Sequence, residues 1–303
     1  MKFTITTETG RLDVFLTEKL DLSRSQIQKL IANGQILLND KVVSSSLQLR
    51  EGDWIDVDLD VKAEKEVDEK IAHQVEVIKK TKDYLVINKP AGLVVHNTKN
   101  MSVYTLADWL LEHYPEVKDV GEDELRPGIV HRLDKDVSGL MVVARTQKFF
   151  DNLKEQFKTR RVSKRYQGLA YGEILQDAGV ITFPIARAVT RYKMAARPAN
   201  AEGREAITEF HVAQHFINYT LLDITIKTGR THQIRAHFSA YNHPLVGDNL
   251  YGTKTTRIKN KKFNLGRIWL VAVELGFLDP KDKPIKFEVD LPKDLRKFLE
   301  KVK

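Results

Sequence analysis

The run HRLDKDVSGL (131–140) carries the strongest chemical promise in this chain. Asp134 follows an apolar segment, GIVHRL (128–133), that reads as a strand, and DKDVSG then turns the chain. A carboxylate at a strand end can project into a cleft while the sheet holds it still. Arg132 and Lys135 beside it favour the ionised form, which suits a nucleophile or a base. The same text fits an ordinary turn aspartate capping backbone amides, and taken alone that plainer reading carries more weight.

A second constellation is TGRTHQIRAH (228–237). Gly229 permits a tight entry, and Thr231 is placed to cap a helix whose Ile234, Phe238 and Tyr241 share a face. Arg235 lies one step round from that face, where a rigid guanidinium can meet a carboxylate or phosphate, or make a plain surface ion pair. Tyr166 lies in KRYQGLAYG (164–172), a strand between a basic cluster and an apolar run, where a core tyrosine is the ordinary reading. His131 and Asp134 also offer two metal ligands. However, His232 and His237 are five apart rather than the four of one helix face, and no third ligand falls at a useful spacing, so no metal is expected. The text contains no phosphate-cradling glycine loop and no dinucleotide fingerprint.

These side chains need a frame. Residues 1–60 read as one compact unit. A helix covers Arg11 to Leu20, and a second opens on the capping box Ser23/Gln26 with Ile27, Leu30 and Ile31 as its buried stripe. Short strands at 36–38 and 42–43 follow, then the alternating strand Trp54 to Leu59. Residues 61–74 are dense in charge and read as a linker, part helical. From 75 to 303 the chain is strand-rich. Strands are predicted at 84–88, 129–133, 140–144, 164–171, 206–212, 220–226, 269–274 and 285–291, with helices at 105–114, 149–158 and 294–302. Helices do not alternate strictly with strands, so a doubly wound parallel sheet is not expected.

The chain's 303 residues are 42% hydrophobic and 30% charged, a normal globular balance, with a net charge of +8. Residues 1–60 hold seven Lys/Arg against ten Asp/Glu, so the rest carries +11 and the basic surface belongs there. A local basic face of Arg11, Arg24, Lys29 and Lys41 remains available for RNA in the first unit. Three basic clusters mark the second part: 158–165, 187–197 and 254–267, the last read as phosphate-contacting or simply a mobile loop. With no cysteine, thiolate catalysis and disulfides are excluded. The N-terminal text has no signal-like apolar core, and no run nears the roughly 20 apolar residues of a membrane span, so a soluble cytoplasmic protein is expected.

The motifs reach further. GIVHRLDKDVSGLMVVAR (128–145), YLVINKPAGLVVH (84–96), SKRYQGLAYG (163–172) and TGRTHQIRAHFSAYNHPLVGDNLYG (228–252) together resemble the RluA family of pseudouridine synthases, in order and spacing over about residues 75–290. Residues 11–59 resemble a small helical-and-hairpin RNA-binding module also found in a small-subunit ribosomal protein. The resemblance implies an α+β fold: this module, then a mixed, mainly antiparallel sheet carrying the catalytic site. It implies isomerisation of uridine to pseudouridine in RNA, with large-subunit ribosomal RNA the expected target and transfer RNA the alternative. It implies no cofactor and a monomer. It makes Asp134 the catalytic aspartate, Arg132 the residue filling the space of the flipped uridine, and Tyr166 the tyrosine stacked on the target base. Either Arg235 or Arg230 pairs with the aspartate, and His131 falls in with the RNA-contacting residues. The reaction cuts N1–C1′, turns the base and rejoins it through C5, with Asp134 either attacking C1′ or removing the 2′ proton. The base must first leave the stack, at a cost of a few kcal/mol. A glycine is expected after His96, but Asn97 stands there.

Overall fold

A computed structural model describes residues 1–6, 10–32, 34–57, 69–97, 103–188, 193–198 and 201–302, apart from the side chains of Lys29 and Ala32. The chain forms two compact units that divide at Glu69/Lys70, with Asn97–Tyr104 grouping with the first. Most of the linker expected at 61–74 lies outside the described residues. Of the remainder, 69–72 is helical and Ala72 is buried.

The first unit contains β1 (Lys2–Thr4), β2 (Gly10–Arg11), α1 (Leu12–Lys19), α2 (Arg24–Ala32), β3 (Ile36–Leu38), β4 (Gln48–Leu49) and β5 (Trp54–Val57). An antiparallel sheet ordered β1-β5-β3 shares a core with both helices through Leu12, Leu16, Ile27, Ile31, Ile36 and Ile55. The capping box forms: Ser23 N–H donates to Gln26 Oε1 at 2.8 Å, and Gln26 N–H to Ser23 Oγ at 3.4 Å. The strand expected at 42–43 does not form. Asn39 and Asp40 both take positive φ (50° and 61°), closing a tight turn that pairs only Leu38 with Lys41 before the chain leaves the sheet.

The second unit begins with β6 (Glu76–Lys80), β7 (Tyr84–Lys89), α3 (Leu106–His113), β8 (Ser138–Ala144), α4 (Gln147–Lys158) and β9 (Ser163–Tyr171). It continues through β10 (Ala178–Ile181), β11 (Ile185–Arg187), β12 (Met194–Ala196), β13 (Thr208–Phe216), β14 (Tyr219–Ile226) and α5 (Gln233–Ala240). It ends with α6 (Lys254–Phe263), β15 (Leu270–Leu278), β16 (Pro284–Glu288) and α7 (Lys293–Val302). One sheet runs β10-β13-β14-β9-β15-β8-β7-β6, with β16 also on β15. Its pairings are antiparallel except that of β8 with β15, giving the mixed, mainly antiparallel α+β fold. Every residue of β8 is buried, as expected of a central strand. Phe149 and Leu153 of α4 pack into one cluster with Val142 and Leu275, while Leu295 and Phe298 of α7 close another over Trp269 and Val271.

The contact of β8 with β15 depends on Gly139. Its φ is +125°, and a Cβ there would sit 2.3 Å from the Ala272 carbonyl. This close approach fixes the end of β8 directly after the Asp134 turn.

Candidate active site

Asp134 does not end a strand. Residues 128–134 run beside β8 with one isolated bridge, Ile129 to Val143, and the Gly128 carbonyl accepts the Ala144 N–H at 2.9 Å. At the next position along, a side chain replaces the ladder: His131 Nε2 accepts the Val142 N–H at 3.0 Å. That bond puts the ring proton on Nδ1. Burial, with the Lys164 charge adding to it, lowers the imidazole to about 3, so it stays neutral, and its ring stacks on Phe157 at 4.8 Å. His131 therefore splints the Asp134 segment to the sheet, and its Nε2 is not free to ligate a metal.

The turn itself is clamped by Lys89 at the end of β7. The fully buried Nζ donates to the carbonyls of Pro90 and Leu93, both at 2.8 Å, and of Lys135 at 3.2 Å. Burial lowers this ammonium to about 7 against the opposing pull of Asp134 and Asp136.

The Asp134 carboxylate is engaged by a side chain rather than by the amides of its own turn. Arg235 Nη1 donates to Asp134 Oδ2 at 3.0 Å. The arginine is itself gripped from behind by Asp248, through Nε to Oδ2 at 2.7 Å and Nη2 to Oδ1 at 3.1 Å. Its guanidinium lies over the Tyr251 ring at 5.1 Å. Burial works against its charge, but the bonds and charges of Asp248 and Asp134 more than offset this and hold it firmly protonated. Arg230, the other expected partner, donates instead to the Glu205 carbonyl at 3.0 Å.

The helix carrying Arg235 starts differently from expectation. Thr231 is not its cap. His232 occupies that position with φ 53° and ψ 24°, a left-handed conformation, and makes no side-chain cap. Gln233, inside the first turn, does the local bonding: Oε1 accepts from Arg230 N–H and Thr228 Oγ1, while Nε2 donates to Ile207 O and Thr208 Oγ1. His232 consequently turns toward Asp134, with Nε2 4.0 Å from Oδ2. Its Nδ1 is 3.1 Å from the Tyr251 hydroxyl.

Tyr166, on β9, is buried beside Asp134 in a cavity of about 100 Å³ that Arg132, His232, Arg235 and Leu270 also line. Burial, with the Asp134 charge adding to it, pushes the phenol well up, so it remains a neutral ring and a hydroxyl donor. Arg132 is exposed at the mouth, its Nη1 3.2 Å from His96 Nε2.

Three larger cavities adjoin this one, each sharing a wall residue with it. One of about 480 Å³ includes Arg132, Lys158, Lys164 and Arg230; one of about 850 Å³ includes Arg187, Lys193, Arg197 and Arg230. The third, of about 640 Å³, includes Arg235, Arg257, Lys261 and Arg267. Residues of all three basic clusters thus line cavities that adjoin the one holding Asp134. Arg191 lies outside the described residues, and Arg165 is taken up by ion pairs with Asp223 and Glu274 at 3.0 and 3.2 Å. The supposed mobile loop at 254–267 is largely the helix α6, started by Thr253 accepting the Thr256 N–H.

In the first unit, Arg11 and Arg24 flank Asp13 and remain part exposed. The side chain of Lys29 lies outside the described residues. Sequence reading missed Lys89, Gln233, Asp248 and Tyr251. Asp248 and Tyr251 stand in GDNLYG, inside a quoted motif, but nothing in a sequence shows that they face Arg235.

Residues 83–240 match the family described as RNA pseudouridylate synthase, and residues 10–55 match the S4 domain. An uncharacterized RNA pseudouridine synthase of Aquifex aeolicus (strain VF5) is 39% identical, over 98% of this chain and 95% of its own. The ribosomal large subunit pseudouridine synthase D of Yersinia pestis is 40% identical, over 80% of this chain and 73% of its own. Among solved structures, human RNA pseudouridylate synthase domain containing 1 superposes with a TM-score of 0.59 at 25% identity, covering 73% of this chain and 85% of its own.

Proposed function

The chain belongs to the RNA pseudouridylate synthase family, and from that premise we propose that Asp134 is the group that acts on the ribose of the target uridine. The enzyme isomerises uridine to pseudouridine in RNA. The observation that carries the assignment is the meeting of a part-open carboxylate, an arginine locked behind it and a buried neutral tyrosine in one cavity walled by basic pockets. The target base leaves its stack and enters beside Tyr166, whose ring supplies a stacking face. Arg132, exposed at the mouth, occupies the place the base vacates. Asp134, oriented by Arg235, attacks C1′ or removes the 2′ proton. The N1–C1′ bond breaks, the base turns, C5 joins C1′, and the C5 proton is lost while N1 gains one. The exchange is balanced, without redox change or hydrolysis.

Large-subunit ribosomal RNA is the proposed substrate, following the printed names of the Yersinia and Salmonella relatives. The basic cavities hold its phosphates, and the S4 unit adds a second RNA contact through Arg11, Arg24 and Lys29. The reading takes the enzyme as a cytoplasmic monomer. Its test is a map of pseudouridine in total RNA from cells with and without the gene, complemented by wild-type protein or Asp134→Asn. Large-subunit positions should vanish with the gene and return with wild type alone. Restoration by Asp134→Asn would refute the assignment, and loss confined to transfer RNA would refute the substrate.

A further inference from the structure

We propose that His232 is a positioning residue for the isomerisation, presenting toward the Asp134 carboxylate an Nε2–H that the Tyr251 hydroxyl sets in place. The inference rests on Asp134 being the catalytic carboxylate. Three features of the site carry it.

The first is backbone geometry. His232 is a non-glycine residue held at φ 53° where α5 begins. Such a conformation is unfavourable for a residue with a Cβ and persists where the surroundings impose it. Here it turns the imidazole into the cavity, Nε2 toward Asp134 and Nδ1 toward Tyr251.

The second is the chain of hydrogen bonds, which determines the tautomer. The Met194 N–H donates to Tyr251 Oη at 2.8 Å, occupying one of its lone pairs. Burial pushes the Tyr251 phenol up to about 12, so it keeps its proton. That proton finds an acceptor in His232 Nδ1 at 3.1 Å. A neutral imidazole that accepts at Nδ1 carries its hydrogen on Nε2, and Nε2 faces the carboxylate. The opposite tautomer would leave the phenol proton without this acceptor and aim a lone pair at an anion. Both ends of the ring therefore demand the same tautomer. Burial lowers the imidazole's affinity for a second proton, with Arg235 and Arg132 acting in the same direction and Asp134 and Asp248 against it.

The third is which oxygen is held. Arg235 and His232 both address Asp134 Oδ2. Arg235 donates to that oxygen at 3.0 Å, while His232 Nε2 stands 4.0 Å from it, a gap that tightens to a hydrogen bond only in the RNA complex and leaves Oδ1 for the ribose. The same chain reaches the β11–β12 hairpin through Met194, so the hairpin bordering the 850 Å³ basic cavity is joined to the catalytic carboxylate through Tyr251 and His232. A nucleotide strand in that cavity and the reacting ribose are thereby registered against one another.

The test combines single-turnover kinetics on a defined RNA with the nitrogen NMR shifts of selectively labelled histidine in the full chain. Wild type should show His232 neutral with its proton on Nε2, and Tyr251→Phe should weaken or reverse that preference. His232→Ala should slow the chemical step about 10-fold, the scale of one hydrogen bond to a charged group, while RNA affinity stays within about 2-fold. His232→Gln, which can still donate toward Oδ2, should recover most of the rate. An Nδ1-protonated ring in wild type, or a His232→Ala enzyme with unchanged chemistry, overturns the inference. Asp134→Asn is run alongside: if it retains activity, the Asp134 assignment fails. If it is inactive while His232→Ala is fully active, only the role of His232 fails.

Discussion

Asp13 in the first unit and Asp134 in the second are both held by arginine, yet one is sealed and the other stays open. Asp13 is fully buried, and its carboxylate accepts from Arg11 Nε and Nη2, Arg24 Nε and Gln28 Nε2 at 2.8–3.1 Å. Burial alone would raise it, but these donors hold it well below the usual carboxylate range. Asp134 keeps 19% of its side chain exposed and is held at one oxygen, by Arg235 at 3.0 Å with His232 near. The second arginine differs too. Arg235 is itself fixed by Asp248, whereas the side chains of Arg11 and Arg24 stay 39% and 50% exposed. Saturating a carboxylate with donors makes a structural post that presents arginines to solvent. Leaving a carboxylate one short, behind an arginine anchored elsewhere, keeps it available for chemistry.

The largest effect that would break this comparison is at Asp134. Asp134→Asn should lower pseudouridine formation by about 10⁴-fold or more, the scale for removing a group that acts at the reacting atoms, with RNA affinity unchanged in a filter-binding or anisotropy titration. Next comes the anchor. Arg235→Leu leaves Asp248 buried without its partner and should cost about 3–5 kcal/mol in denaturant unfolding. Arg235→Lys keeps the charge but loses the fork and should be the milder variant in both stability and rate. A Leu variant as stable as wild type would show that Asp248 does not need this arginine.

Smaller effects belong to the sealed aspartate. Asp13→Asn should destabilise by about 1–3 kcal/mol through lost charged hydrogen bonds and leave the rate at saturating RNA unchanged. Because folding lowers the Asp13 carboxyl, its stabilisation is complete above the ordinary aspartate value of about 4 and is lost as pH falls below it. The melting difference between wild type and Asp13→Asn should therefore shrink on acidification, and a difference that grew would reverse the sign. Last, Arg11→Ala or Arg24→Ala should weaken RNA binding by a few-fold and reduce its salt slope by about one, as for loss of a single phosphate contact. An unchanged slope would remove these arginines from the RNA surface.

Much of this was legible along the chain because the relevant signals are local. The Ser23/Gln26 capping box, the stripe of α2 and the mostly apolar, fully buried β8 follow from spacings of a few residues. Elsewhere the local signal misled. GIVHRL has strand composition, but His131 supplies an imidazole where a ladder carbonyl would stand. Thr231 has cap chemistry, but the left-handed His232 takes that place. KTTRIKNKKF is dominated by charge and still forms a helix, with Thr253 at its start and the uncharged Thr256 and Asn260 on its buried face.

The sequence by itself determined most of the element types, the order of the motifs and, through them, the family. It also made Asp134, Arg132 and Tyr166 candidates. Only the tertiary structure decided that Arg235 rather than Arg230 meets Asp134, that Asp248 stands behind it, and that Tyr251 and His232 close the site. The reason is distance along the chain. The Asp134–Arg235 bond spans 101 residues and exists because the sheet brings the start of α5 against the turn before β8. Periodicity reports which neighbours share a face within a turn or two, and it carries no record of which faces a sheet order will bring together.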